Sequence, residues 1–225
     1  MSDDLRKSIE WRFEENLIEY EDAVNFMEQK VLEIASQKSS NLIWVLEHYP
    51  VYTAGISAKD EDLLNRDQTP IFKSNRGGKY TYHCPGMKII YVMLDLKQLF
   101  YPSSPDITQF VKFLENWIIA VLKHYQIHGE IKAGRVGIWV ETPQGEKKIS
   151  AIGIKLKKWV AYHGIAINIT PNLQGFNNIV PCGLKDYGVT SFEDLGIKNF
   201  NEQEFYKILK EEFYKNLEAI KEIES

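Results

Sequence analysis

Cys182 stands in the tetrapeptide Val180-Pro181-Cys182-Gly183, in a chain whose only other cysteine is Cys84. Proline fixes φ on the way into that turn, and a glycine after the thiol lets a carbonyl approach the backbone closely. This setting suits a nucleophilic sulfur. It equally suits a small buried core residue, which is how free cysteine commonly behaves. Lys148 precedes the small residues Ser150, Ala151 and Gly153. A free thiol has a pKa of about 8.5, so a neighbouring ammonium would raise its thiolate fraction at neutral pH. The plain alternative for Lys148 is a solvated lysine at a hairpin turn.

Two further segments carry residues of interest. Arg76-Gly77-Gly78-Lys79-Tyr80-Thr81-Tyr82-His83 combines two glycines with basic side chains, which suits a carbonyl or anion site or, equally, a tight surface turn. Its spacing is not that of a phosphate-binding loop or a dinucleotide fingerprint. In Tyr162-His163-Gly164-Ile165-Ala166-Ile167-Asn168, His163 can titrate near neutrality, but a lone histidine is more often structural. His48 has the same ambiguity.

These residues need a scaffold. Val24, Met27, Val31 and Ile34 predict a helix over 20–36. Leu42 to Glu47 and Ile89 to Asp95 read as buried strands. Thr53 to Asp60 and residues 71–87 read as loops. Ser104-Pro105-Asp106 marks a helix start, with Ser104 as cap and Phe110, Leu114, Trp117 and Val121 on one face. From Val136 to Ile169 three strand runs alternate with turn signals, predicting hairpins. Thr190 to Leu195 reads as a short helix ended by Gly196, and Asn201 opens a last helix. The expected class is α+β, one domain over 1–225, with a mixed, mostly antiparallel sheet flanked by helices.

The chain has 225 residues, 44% of them hydrophobic, which is enough to bury a full core. The net charge of −4 argues against a polyanion-binding protein, so no nucleic acid is expected. The amino terminus shows no apolar secretory stretch and no run approaches the ~20 residues of a membrane span, so the expectation is a cytoplasmic protein with no membrane partner. Two cysteines make no disulfide framework, and no closely spaced Cys and His set suggests zinc.

Six segments in order resemble the lipoyl(octanoyl) transferases of lipoate biosynthesis. They are Glu47 to Gly55, Arg76 to His83, Gly137 to Val140, Lys148 to Gly153, His163 to Asn168, and Phe176 to Gly183. The resemblance implies the fold of the biotin and lipoate protein ligases. It implies transfer of an octanoyl (or lipoyl) group from acyl carrier protein to a lysine on the lipoyl domains of 2-oxoacid dehydrogenases and on glycine cleavage H protein. Carried over by position, Cys182 corresponds to the acyl-thioester nucleophile and Lys148 to its partner. The segments that line the acyl site correspond to Arg76, Gly77, Gly78, Lys79, Tyr80, Thr81, Tyr82 and His83, to Ala151, Ile152 and Gly153, and to Gly164, Ile165 and Ala166. No metal is implied and no cofactor beyond the phosphopantetheine that arrives on the carrier. Ile152, Ile154, Ile165 and Ile167 are expected to border the acyl tunnel. Oxyanion donors are expected from Gly183 and from the 76–83 loop.

The chain departs from that pattern at Cys84, where glycine is usual, and at Lys79 and Met87-Lys88, where uncharged residues are usual. Three other readings compete: an ATP-dependent lipoate or biotin ligase, a thiol hydrolase pairing Cys182 with His83 or His163, and a non-catalytic acyl-binding module. Arg135, Lys147, Lys155, Lys157 and Lys158 would give an acidic carrier a basic docking face.

Overall fold

The computed structural model describes residues 8–180 and 187–223. Among them a long mixed sheet runs in the order β1 (Ile9–Ile18), β2 (Asn41–His48), β6 (Met87–Asp95), β10 (Val160–Asn168), β9 (Gly145–Lys157), β8 (Arg135–Thr142) and β7 (Glu130–Lys132). A two-residue strand, β11 (Gly188–Val189), adds to β9 in parallel. Only β1–β2 and β11–β9 pair in parallel among these; every other neighbour is antiparallel. A second sheet has the order β4 (Ile71–Lys73), β3 (Val51–Ala54), β5 (Tyr80–His83). The class read from the sequence, α+β with a mostly antiparallel mixed sheet, is the one observed.

The two faces of the long sheet carry separate cores, and β6 shows why. Its residues alternate, so Ile90, Val92 and Leu94 enter one cluster while Ile89, Tyr91 and Met93 enter the other. On the first face lie α3 (Ile107–His124) and α4 (Glu202–Ile223). Trp117 is fully buried there, 5.0 Å from the Phe213 ring, and its indole N–H donates to Leu209 O at 2.8 Å. On the second face lies α1 (Tyr20–Ala35), with Tyr20, Ala23, Met27, Val31 and Ile34 turned inward, together with the small sheet. A four-residue helix, α2 (Leu96–Leu99), follows β6.

Three expectations need correcting. The cap of α3 is Asp106, whose Oδ1 accepts from the N–H groups of Thr108 and Gln109; Ser104 lies two residues outside it. Residues 190–196 form turns rather than a helix, held by Ser191 Oγ, which accepts from Asp194 N–H, and by Leu195 N–H donating to Ser191 O. Ile71–Lys73 and Tyr80–His83 are strands inside a stretch read as loop, and Val51–Ala54 is a strand that runs into the start of the loop read from Thr53.

Candidate active site

A cavity of about 270 Å³ opens on the second face of the long sheet. That is slightly below the ~300–1,000 Å³ typical of drug-sized ligands. Its wall includes Arg76 to Thr81 and His83, Lys148, Ala151 to Gly153, and Gly164 to Ala166. The structure therefore brings together three stretches far apart in sequence. Tyr82 is not among the lining residues; its ring packs against Tyr52 at 5.0 Å and Phe176 at 5.7 Å. Cys182, with Pro181 and Gly183, lies outside the described residues.

All four isoleucines pack with the helix-side core, and of them only Ile152 and Ile165 also border the cavity. Strand alternation explains the small residues opposite: Ala151 pairs with Ala166 and Gly153 with Gly164 across β9 and β10. Gly164 must stay a glycine, because a Cβ there would sit 2.0 Å from Ile90 O.

The 76–79 loop is shaped by Arg76, which is buried. Its Nη2 donates to Thr53 O and Thr53 Oγ1, both at 2.7 Å, and to Lys79 O at 2.9 Å, while Nη1 donates to Gly77 O at 2.9 Å. Gly77 N–H donates to Ile154 O at 3.0 Å and so is spent on holding the loop against β9 rather than on an oxyanion. Lys79 reaches Asp62 at 3.6 Å, so this unusual lysine has a carboxylate beside it.

The histidines singled out in the sequence join a polar cluster on the cavity wall whose two tyrosines, Tyr20 and Tyr91, the sequence did not reveal. Tyr20, Tyr91 and His163 line it beside His83. His48 Nδ1 lies 2.7 Å from Ile18 O and Nε2 lies 2.6 Å from the Tyr91 hydroxyl. A carbonyl only accepts, so Nδ1 carries the proton and Nε2 accepts from Tyr91. Burial lowers His48 to a pKa of about 4 and His163 to about 3, and pushes His83 well below its ordinary value. All three are neutral at pH 7. His163 also adopts φ 61° within β10, a left-handed conformation that is uncommon for a side-chain-bearing residue and clusters at functional sites. The available signal was the alternation of β6, which places Tyr91 among Ile89 and Met93 on the face opposite the α3 core.

Lys148 is 5% exposed. Its Nζ donates to Val136 O at 2.8 Å and lies 4.7 Å from the centre of the Trp139 ring. It is thus a buried cation on a cavity wall, not a solvated turn lysine. Lys148 pairs with Val189 of β11, and Thr190 N–H donates to Lys148 O at 3.0 Å. On the other side of the undescribed segment, Val180 N–H donates to Asp62 O at 2.7 Å.

The remaining departures are buried, Met87 in the core on the α1 side of the sheet. Cys84 is 3% exposed, and burial raises its pKa to about 11, so it is a protonated core thiol at neutral pH. Lys88 is buried between Glu47, 2.8 Å away, and Glu202, which it also contacts; the second oxygen of Glu47 accepts from Gly86 N–H at 2.7 Å. Of the proposed basic face, Arg135 is matched by Glu146 at 2.8 Å and covers the Trp139 and Tyr187 rings. Lys157 and Lys158 stand exposed at the β9–β10 turn.

A family model, the lipoyl protein ligase A/B catalytic domain, matches residues 19–214. An octanoyltransferase of Wolbachia pipientis (strain wPip) is 52% identical over 184 residues, covering 82% of this chain and 88% of that protein. An octanoyltransferase of Brucella melitensis is 48% identical over 192 residues, covering 81% and 71%. Among solved structures, the bipartite lipoate protein ligase of Thermoplasma acidophilum superposes with a TM-score of 0.67 at 13% identity, covering 93% of this chain and 83% of that one. A lipoate-protein ligase A bound with ATP gives a TM-score of 0.66 at 14% identity, covering 93% and 86%.

Proposed function

Because the chain belongs to the lipoyl protein ligase A/B catalytic-domain family, and relatives near half identity are octanoyltransferases, we propose that it moves an octanoyl or lipoyl group onto lipoyl-domain lysines through a Cys182 thioester. It is an acyltransferase. The observation that most supports the finer reading is Lys148, a buried ammonium on the wall of a cavity bordered by small and apolar residues.

In the first step the Cys182 thiolate attacks the carbonyl of an octanoyl thioester on an acyl carrier protein. The bond to the carrier's phosphopantetheine sulfur breaks, and Lys148 gives that sulfur a proton as it leaves. In the second step the amine of the acceptor lysine attacks the acyl-enzyme carbonyl. The carbon–sulfur bond to Cys182 breaks, the amide forms, and the amine's surplus proton returns to Lys148. The product of the first step is itself a thioester, so little free energy is lost before the amide forms. The scheme uses no cofactor of the enzyme's own.

The buried histidines weigh against a thiol hydrolase. A general base works best with a pKa near the working pH, and His83 and His163 lie far below it. The likeness to ligases is at 13–14% identity and carries the fold alone.

The test is intact mass spectrometry of the enzyme with octanoyl carrier protein, without ATP. One added octanoyl group on the wild type, absent from Cys182→Ala, supports the reading. Octanoylation of Cys182→Ala, or a requirement for ATP, defeats it.

A further inference from the structure

One peptide group ties Lys148 to a buried carboxylate on the far side of the sheet. The carbonyl of Val136 accepts from Lys148 Nζ at 2.8 Å. The N–H of the same peptide, that of Gly137, donates to Glu115 Oε1 at 3.2 Å. A peptide group is planar, and its N–H and C=O point to opposite sides, so fixing one end aims the other.

Glu115 is an unexpected residue in its place. It sits on α3 among Phe110, Phe113, Leu114, Trp117 and Ile118 and is 5% exposed. Carboxylates are almost never this buried without a partner, because desolvating a charge is costly. Burial does raise the Glu115 pKa, opposed by the Gly137 N–H and by the charge of Lys148. The helix therefore carries a costly group whose hydrogen bond goes to the peptide that receives the lysine.

The backbone around that peptide is specialised too. Gly137 has φ 110°, a conformation that favours glycine. A Cβ there would lie 2.5 Å from Ser150 O and 3.4 Å from Nζ of Lys148. The β8–β9 register shifts between Ile138 and Trp139, next to this point. Such an irregularity re-aims groups at the strand edge.

We propose that Glu115 is a positioning residue for Lys148, acting through the Val136–Gly137 peptide. The carboxylate holds the peptide N–H, which keeps the Val136 carbonyl aimed at the ammonium. Its negative charge strengthens that carbonyl as an acceptor, since hydrogen bonds in series polarise one another. The inference rests on the reading that Lys148 serves the Cys182 thiol.

The experiment compares wild type, Glu115→Gln, Glu115→Leu, Lys148→Ala and each Glu115 variant combined with Lys148→Ala. Two rates are read: octanoylation by octanoyl carrier protein in a single turnover, and alkylation of Cys182 by iodoacetamide at pH 7, mapped by peptide mass. Thermal midpoints are recorded alongside. The expected order is wild type, then Glu115→Gln, which keeps an acceptor without charge, then Glu115→Leu, slower by about tenfold or more. The apparent affinity for the carrier should not change. With Lys148 already removed, neither Glu115 substitution should slow alkylation further, because the two act as one unit.

Wild-type rates in both Glu115 variants would overturn the inference, as would equal slowing with and without Lys148. If Glu115→Leu does not fold, Glu115→Gln decides by the same criteria. Failure of wild type to acquire octanoate at Cys182, or full alkylation of Lys148→Ala at the wild-type rate, would instead sink the underlying reading of the cysteine and lysine.

Discussion

Tyr91 donates its hydroxyl proton to Nε2 of His48 across 2.6 Å, with both groups buried. The pair joins β2 to β6 beneath the cavity. Tyr91→Phe leaves His48 with a buried acceptor and no donor, which should cost about 1–3 kcal/mol of stability. Denaturant unfolding of wild type and variant measures it.

The histidines set a pH dependence. His48 and His163 have folded pKa values of about 4 and about 3, below the 6.5 of an unfolded chain. The unfolded state therefore binds more protons as the pH falls, so stability is fully present above about pH 6.5 and is lost progressively below it. The window from pH 6.5 to 5 favours this effect, since ordinary carboxylates titrate lower. The thermal midpoint should fall across that window, and His48→Gln should flatten the decline. An unchanged midpoint from pH 7 to pH 5 would contradict the assignment of neutral buried histidines.

Chain length should respond to the small residues of β9. Ala151 lines the cavity beside Gly153, where a Cβ would already lie 3.1 Å from Gly77 O. Ala151→Val narrows the cavity, and each methylene that loses its place forfeits about 0.8 kcal/mol. Competition between octanoyl and hexanoyl carrier proteins should shift several-fold toward hexanoyl.

Cys84 should be inert. Its burial and its pKa of about 11 leave almost no thiolate at neutral pH. Cys84→Ala should acquire octanoate at the wild-type rate, and peptide mapping after brief iodoacetamide treatment should find Cys84 unmodified.

Lys157 and Lys158 project at the β9–β10 turn, whereas Arg135 is neutralised by Glu146. Charge reversal of both lysines should lower kcat/KM for an acidic carrier at low salt, with the difference shrinking as salt is added. An unchanged salt dependence would remove this turn from the docking surface.

Much of this was legible in the residues themselves. The helical spacing of Met27, Val31 and Ile34 and the alternation of Ile165, Ala166 and Ile167 report faces that the structure reproduces. Strand β1 was also legible, since Ile9, Trp11 and Phe13 alternate with Glu10, Arg12 and Glu14, but its edge position gives it a charged composition easily taken for a tail. The strands β3 to β5 were hidden because they are short and flanked by turn residues. The site was harder. Nothing local distinguishes Lys148 from a solvated lysine; its burial follows from the Val136 carbonyl and the Trp139 ring, brought in by the neighbouring strand. Glu115 was invisible for the same reason, because its partner peptide lies 22 residues away.

The central claim is tested most directly by isolating the octanoylated enzyme, freed of carrier, and mixing it with a lipoyl domain in a single turnover. The account predicts that one octanoyl group leaves Cys182 and appears on the domain's lysine, without ATP, at least as fast as steady-state turnover, and that Lys148→Ala greatly slows this discharge. An acyl-enzyme that fails to discharge, or that does so more slowly than turnover, would contradict it.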